Sequence, residues 1–148
     1  MGLDAVVYKR LEEISLAPGT DLSTLRVEDT TGEVYFENDA VILSSGDREA
    51  VHKRLGNITA IMWVRDEIEK LLPSLRRNSI LLRKVVYDGT HSGDFIPVED
   101  LPALKRELSV VRQRVTPNRV SDLLHEFLDS MDELIAAAEQ QGNPIVFT

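Results

Sequence analysis

The 148-residue chain contains no cysteine. A disulfide framework, a thiolate zinc site and a cysteine nucleophile are therefore excluded. No apolar run approaches the roughly 20 residues of a membrane-spanning helix. The first ten residues contain Asp4 and the sequence Tyr8-Lys9-Arg10, a pattern unlike a signal peptide. Together these absences predict a cytoplasmic protein that does not contact membranes.

Positive charge is scarce, since 17 lysines and arginines stand against 25 aspartates and glutamates, for a net charge of −8. This balance disfavours direct nucleic-acid binding or attachment to anionic lipid. The acidity is concentrated in residues 1–40 and 120–148, which each carry −6, whereas 75–119 carries +4. The length and the 43% hydrophobic content predict one globular domain over residues 1–148.

Residue patterns predict an α+β fold with a mostly antiparallel sheet. Strands are expected over residues 3–11, 25–28, 33–37, 40–43, 79–87 and Ile145–Phe147. The segment 79–87 is expected to be central because apolar residues occupy both parities. Helices are expected from Ser44 to Leu72 with an interruption at Gly56-Asn57, over 99–114, and over 117–141 from a Thr116 cap. The last two helices are expected to form an antiparallel pair.

The last predicted helix bears an acidic stripe of four residues spaced by 4, 3 and 4, namely Asp122, Glu126, Asp129 and Glu133. Residues at these intervals share one helix face. No lysine or arginine lies in 120–148 to neutralise the stripe. It is interpreted either as a solvated face or as a docking surface for a basic partner, where complementary charge would speed association.

A second candidate site is the polar loop 88–94, which contains Asp88, His91, Ser92 and Asp94. A histidine and an aspartate three residues apart could act as acid and base or supply two metal ligands. The same residues also form turns, in which an aspartate accepts hydrogen bonds from backbone amides. The histidines show no metal-ligand spacing, and no nucleotide-binding or nucleophile motif is present, so no metal, cofactor or catalytic residue is predicted.

Basic side chains between residues 75 and 119 are expected to pair with the acidic surplus of the same fold rather than to form a patch. They are Arg76, Arg77, Arg83, Lys84, Lys105, Arg106, Arg112, Arg114 and Arg119. Five aromatic residues are expected to pack in the core rather than to stack on bases, namely Tyr8, Phe36, Trp63, Phe95 and Phe127.

Three segments resemble one family. The chain opens Met1-Gly2-Leu3 directly into a strand, and 91–94 read His-Ser-Gly-Asp before a helix containing Glu107-Leu108. The sequence Gly-Asn-Pro-Ile-Val-Phe of 142–147 follows the long last helix. These pieces are similar to one of the numbered families of predicted bacterial immunity proteins encoded beside polymorphic toxins. Gly93 departs from the acidic residue that this family usually places after the loop serine.

The resemblance implies a small cytoplasmic α+β protein that binds and neutralises a cognate toxin without catalysis. Many such toxins are basic nucleases, which an acidic inhibitor would suit, and the acidic stripe is the predicted binding surface. Two alternatives stay open: a small-ligand-binding or hydrolytic domain centred on the loop 88–94, and a phage or mobile-element accessory protein that acts by protein binding.

Overall fold

The computed structural model describes residues 2–37, 43–72, 78–115 and 121–148. The strands are β1 (Gly2–Tyr8), β2 (Leu25–Val27), β3 (Val34–Phe36), β4 (Glu49–Asn57), β5 (Phe95–Ile96) and β6 (Ile145–Phe147). The α-helices are α1 (Ser45–Arg48), α2 (Ile58–Leu71), α3 (Leu101–Val115) and α4 (Asp122–Gln141). Leu11–Glu13 and Val98–Asp100 form 3₁₀ turns, and Leu81–Val85 forms a π-helical turn.

Four strands form one antiparallel sheet in the order β4-β1-β6-β5, and β2 pairs with β3 in a separate hairpin. Helix α3 runs antiparallel to α4. A residue near the start of α3 pairs with one near the end of α4, and a residue near the end of α3 pairs with one in the first half of α4. Lys105 contacts Glu139 at 2.9 Å, and Arg112 contacts Asp129 at 3.0 Å. The predicted α+β fold with a C-terminal antiparallel helix pair is confirmed.

Strand β1 is buried on both faces. Leu3, Ala5 and Val7 belong to the main hydrophobic cluster, which also contains the buried residues of α2, α3 and α4. Val6 and Tyr8 point to the opposite face, where they form a small cluster with Val146 of β6. This alternation is the two-residue period expected of a strand.

Helix α4 is bounded by strong local signals. The Ser121 hydroxyl accepts a hydrogen bond from the amide of Leu124 at 3.3 Å, which caps the N-terminus. Gly142 adopts a left-handed conformation with φ of 66° and ends the helix. The apolar face is fully buried and includes Leu124, Phe127, Leu128, Met131, Leu134, Ile135 and Ala138.

Most predicted elements are present with small shifts at their ends. The predicted segments 3–11, 25–28, 33–37 and Ile145–Phe147 correspond to β1, β2, β3 and β6, and 99–114 and 117–141 correspond to α3 and α4. Residues 40–42 of a further predicted strand and the predicted Thr116 cap lie outside the described residues.

The prediction of a central strand over 79–87 is wrong, because the segment forms the π-helical turn instead. Leu81, Leu82, Val85 and Val86 are buried, whereas Arg83 and Lys84 between them are exposed. Two buried pairs four residues apart with an exposed pair between them follow a helical period and not an alternating one. The amide of Val86 donates to the carbonyl of Leu81 at 2.8 Å, which is the spacing of a π-helix.

The prediction of a helical region from Ser44 to Leu72 is confirmed after the interruption at Gly56-Asn57, where α2 begins, but before the interruption it holds for one turn only. The Ser44 hydroxyl caps α1 by accepting a hydrogen bond from the amide of Asp47 at 3.3 Å, but residues 49–57 form strand β4. Val51 and Leu55 are spaced by four, which suggests a helix, and β-bulges at both ends of the β1–β4 pairing break the alternation of β4. The residue pattern of 49–57 therefore does not indicate the edge strand that the segment forms.

Gly32 brings the β2–β3 hairpin against the segment that follows α4. It has a φ of 76°, and a Cβ at this position would overlap the side-chain amide of Asn143. That amide donates to the carbonyl of Tyr8 in β1 at 2.8 Å. Gly142 has a similar φ of 66° but nothing within 4 Å of its Cβ position.

We expect Gly32→Ala to lower the free energy of unfolding more than Gly142→Ala. Both substitutions place a side chain in the left-handed region, which costs about 1–2 kcal/mol. Only Gly32→Ala also displaces Asn143 and weakens its hydrogen bond, which adds about 1 kcal/mol. Urea denaturation of both variants measures the difference, and equal losses would show that the Gly32–Asn143 contact is unimportant.

Candidate functional site

The acidic stripe lies on the solvent-facing side of α4, as its spacing predicts. Asp122, Glu126, Asp129 and Glu133 are all exposed. The apolar side of the same helix is buried against the sheet and against α2 and α3. Helical geometry thus places four carboxylates on one open surface.

Half of the acidic stripe is neutralised by residues from other elements. Arg112 of α3 contacts Asp129 at 3.0 Å and also pairs with Asp132. Lys53 of β4 pairs with Glu133. Tertiary packing therefore supplies Asp129 and Glu133 with cations that the local sequence of α4 lacks.

Other basic side chains of the middle segment also pair with acidic ones, as expected. Lys105 contacts Glu139 at 2.9 Å, and Lys84 contacts Asp100 at 3.1 Å. Each such exposed pair contributes about 0–1 kcal/mol, so their main effect is to reduce the local charge. Arg76, Arg77 and Arg119 lie outside the described residues.

Asp122 and Glu126 form the open half of the stripe, with no ion pair to any described residue. Glu126 and Ser130 line two adjoining depressions. One has a volume of about 200 Å³ and is lined by Arg54, Leu55, Gly56, Ala60, Val64, Leu123, Glu126 and Ser130. The other has a volume of about 650 Å³ and is lined by Lys53, Glu126, Asp129, Ser130, Asp132 and Glu133.

In the loop 88–94, His91 is buried and joins three elements. Its Nε2 donates a hydrogen bond to the carbonyl of Val85 at 2.8 Å, because a carbonyl can only accept. Its ring stacks on Tyr87 with centroids 4.5 Å apart and packs against Phe147 of β6 at 4.7 Å. His91 thus anchors the loop to the π-helical turn and to the sheet.

Asp94 lies beside both rings and binds Tyr87 more directly than His91. The Tyr87 hydroxyl donates to the Asp94 carboxylate, and this bond raises the pKa of Tyr87 to about 12, with partial burial as a smaller cause. The Oδ2 of Asp94 is 3.1 Å from Nδ1 of His91, but Nδ1 is not aligned for a hydrogen bond. Tyr87 was expected at the end of a strand over 79–87, and it is the member of this cluster that sequence patterns did not predict.

The remaining loop residues do not join His91. Asp88 accepts hydrogen bonds from the amide and the hydroxyl of Thr90 at 2.9 and 3.1 Å, which is the turn-forming role of an aspartate. Ser92 is exposed and forms no hydrogen bond to His91. The only other ring nitrogen of His91 faces Asp94 and is buried, so the loop does not provide an activated serine.

Trp63 and Phe95 lie at the surface, which corrects the expectation that they pack in the core. Trp63 is 57% exposed and Phe95 is 36% exposed. Phe95 borders a cavity of about 310 Å³ whose other lining residues are Arg83, Lys84, Tyr87, Gly93 and Asp94.

Comparisons of the chain with family models, curated proteins and solved structures find no match. Among the described residues, no three histidine, aspartate or glutamate side chains are grouped in a way that could hold a metal ion. No helix in the described ranges has the length and apolar character needed to span a membrane.

A charged cluster on the outer face of β4 and β1 surrounds His52. Its Nε2 is 3.0 Å from Oδ2 of Asp4, and its Nδ1 is 3.1 Å from Oε2 of Glu49. Both nitrogens must donate to make both bonds, which favours the imidazolium. The hydrogen bond to Asp4 is the main reason that the pKa of His52 is raised, and partial burial opposes it.

We expect the His52 cluster to stabilise the fold at mildly acidic pH. Because the folded pKa lies above the unfolded value of about 6.5, the contribution is complete below pH 6.5 and disappears as the pH rises through the folded pKa. His52→Gln should therefore lower the unfolding free energy by up to about 1 kcal/mol near pH 6, a small value because solvent screens the half-exposed side chain. The loss should be smaller near pH 9. Thermal unfolding at both pH values tests this, and a larger loss at pH 9 would contradict it.

If His91 has a structural role, His91→Ala should destabilise the protein strongly. Loss of the buried ring and of its hydrogen bond to Val85 should cost about 2–4 kcal/mol. The matched control is Ser92→Ala, which removes an exposed hydroxyl and should change the unfolding free energy by less than about 0.5 kcal/mol. Equal stability of the two variants in urea denaturation would refute the structural role.

Proposed function

We propose that the protein is a non-catalytic inhibitor that binds a bacterial toxin and blocks it by occlusion. The observation that carries this proposal is the exposed acidic face of α4, with four carboxylates at one surface and two depressions beside it. The partial resemblance to immunity proteins supports the same conclusion. The preferred partner is a basic toxin, such as a nuclease.

The negative charge of this surface is complementary to a partner that itself binds nucleic acid. A nuclease cleft is lined by cations that bind phosphate, and carboxylates of an inhibitor would compete for the same groups. Asp122 and Glu126 are the carboxylates most available to such a partner, because Asp129 and Glu133 already contact Arg112 and Lys53. Complementary charge would mainly increase the association rate, so binding should weaken at high salt.

The proposal predicts that charge reversal on the stripe abolishes protection. Cells would co-express a candidate basic toxin with the wild type or with the quadruple variant Asp122→Lys, Glu126→Lys, Asp129→Lys and Glu133→Lys. We expect loss of protection and an association rate lower by at least about tenfold. Full protection by the quadruple variant would overturn the assignment.

Two controls separate binding from folding. The double variant Asp122→Lys and Glu126→Lys keeps both ion pairs of the stripe and should still weaken protection. A second quadruple variant reverses the same amount of charge at exposed residues away from α4, namely Glu12, Asp29, Asp66 and Glu99, and should protect normally. Thermal unfolding of each variant confirms that it is folded.

One observation favours a second candidate function, the binding of a small ligand beside the loop 88–94. The cavity of about 310 Å³ brings Arg83 and Lys84 together with Tyr87 and Asp94. In this case Lys84→Ala should abolish binding of a small anionic ligand without affecting protection from the toxin. Retained ligand binding by that variant would count against the cavity as the site.

A further inference from the structure

Strand β4 forms an edge of the main sheet. It is nine residues long, and β1 is its only partner among the described strands. The opposite edge strand, β5, has two residues. An edge strand presents unpaired amide and carbonyl groups, to which an extended chain can add as a further strand.

The register of the sheet shows which groups of β4 point outward. The amide of Thr148 donates to the carbonyl of Asp4 at 3.0 Å, so the backbone of Asp4 is directed toward the β6 side. Backbone direction alternates along a strand, so Ala5 and Val7 bond to β4. Their partners are Lys53 and Val51, which use their amides inside the sheet.

It follows that His52 and Arg54 direct their backbone groups away from β1. They are paired with Val6 and Asp4, whose own backbone groups face β6. The two bulges lie outside the stretch 51–54 and limit the regular edge to these four residues. This length provides the outward groups of two residues for an added strand.

The usual protection of an edge strand is limited here. Proline is absent from β4, and the inward-pointing Lys53, which could repel an incoming strand, is paired with Glu133. The bulges shorten the edge but leave 51–54 regular.

The surface beside this edge carries both apolar and acidic groups. Leu55, Val64 and Leu123 line the smaller depression next to Arg54, and Glu126 connects it to the larger acidic one next to Lys53. Residues of an added strand that share a face are about 7 Å apart. One such residue could enter the apolar depression while its neighbour on the same face reaches the acidic one.

We propose that β4 receives an extended segment of the partner, which pairs with His52 and Arg54 and presents apolar and basic side chains to the two depressions. The identity of the partner as a basic toxin rests on the proposed function.

A second copy of the chain is a poorer occupant than a basic strand. Pairing β4 with β4 about a two-fold axis brings the same surface of each copy to the interface. With the axis at Lys53, the two Lys53 residues would face each other and Arg54 of each copy would face His52 of the other, so like charges would oppose pairing.

The direct test uses a blocked peptide of about eight residues, slightly longer than an average strand, in which threonine alternates with lysine and leucine. Amide exchange followed by NMR should show slow exchange at Val51 and Lys53 in the free protein and fast exchange at His52 and Arg54. Addition of the peptide should slow exchange at His52 and Arg54 selectively. A peptide with glutamate in place of lysine should bind more weakly.

Two substitutions at one position separate the backbone from the side chain. Arg54→Pro removes the outward amide and leaves the β1 ladder intact, whereas Arg54→Thr removes the same side chain and keeps the amide. We expect Arg54→Pro to weaken peptide binding by about tenfold, because a hydrogen bond is lost and the edge is altered. We expect Arg54→Thr to bind the peptide within about threefold of wild type, because only an exposed charge is lost.

Equal binding by Arg54→Pro and Arg54→Thr would overturn the inference, as would unchanged exchange at His52 and Arg54 with the peptide. If Arg54→Pro does not fold, a peptide with N-methylated alternate amides replaces it and should not bind. A dimer in sedimentation that Arg54→Pro dissociates would assign the edge to a second copy instead. None of these outcomes depends on the variants of the acidic stripe. The test of the β4 edge and the test of the proposed function can therefore fail independently.

Discussion

The antiparallel pairing of β1 with β6 is the constraint on which the rest of the fold depends. It joins the first strand to the segment after α4, with Ala5 opposite Phe147 and Val6 opposite Val146. Both faces of β1 are buried, one under the helices and one in the small cluster with Val146. Because β6 follows α4 after a short turn, this pairing also fixes where α4 packs on the sheet. The position of the acidic stripe is thus a consequence of strand pairing.

The same packing divides the stripe into a half with ion pairs and a half without them. Helix α4 lies against β4 on one side and α3 on the other, and these neighbours supply Lys53 and Arg112. Their cations reduce the charge at Glu133 and Asp129, whereas Asp122 and Glu126 keep theirs. A net charge of −8 therefore says little about where a partner would bind, because intramolecular ion pairs redistribute the charge that solvent encounters.

Sequence patterns predicted the elements whose signals are local. Helix α4 has a regular apolar face and a terminal glycine, and α3 has an equally regular stripe, although the cap of α4 is Ser121 and not the predicted Thr116. Strand β4 was not predicted because an edge strand needs few apolar residues. The π-helical turn was not predicted because its two pairs of consecutive apolar residues resemble a strand that is buried on both faces. The cluster of Tyr87, His91 and Asp94 was only partly predictable, since Tyr87 joins it through a turn type that short patterns do not reveal.

The missed strand changes how the acidic surface is understood. A charged helix face alone provides attraction without a defined register, because side chains are mobile and water screens them. A strand edge beside it provides fixed backbone groups at defined spacing, which orient a partner but attract it weakly at long range. In this fold Glu126 lies within reach of both, because it borders the depression that Arg54 and Leu55 also line. Under the proposed function, charge would speed the encounter and the edge of β4 would define how the partner is held.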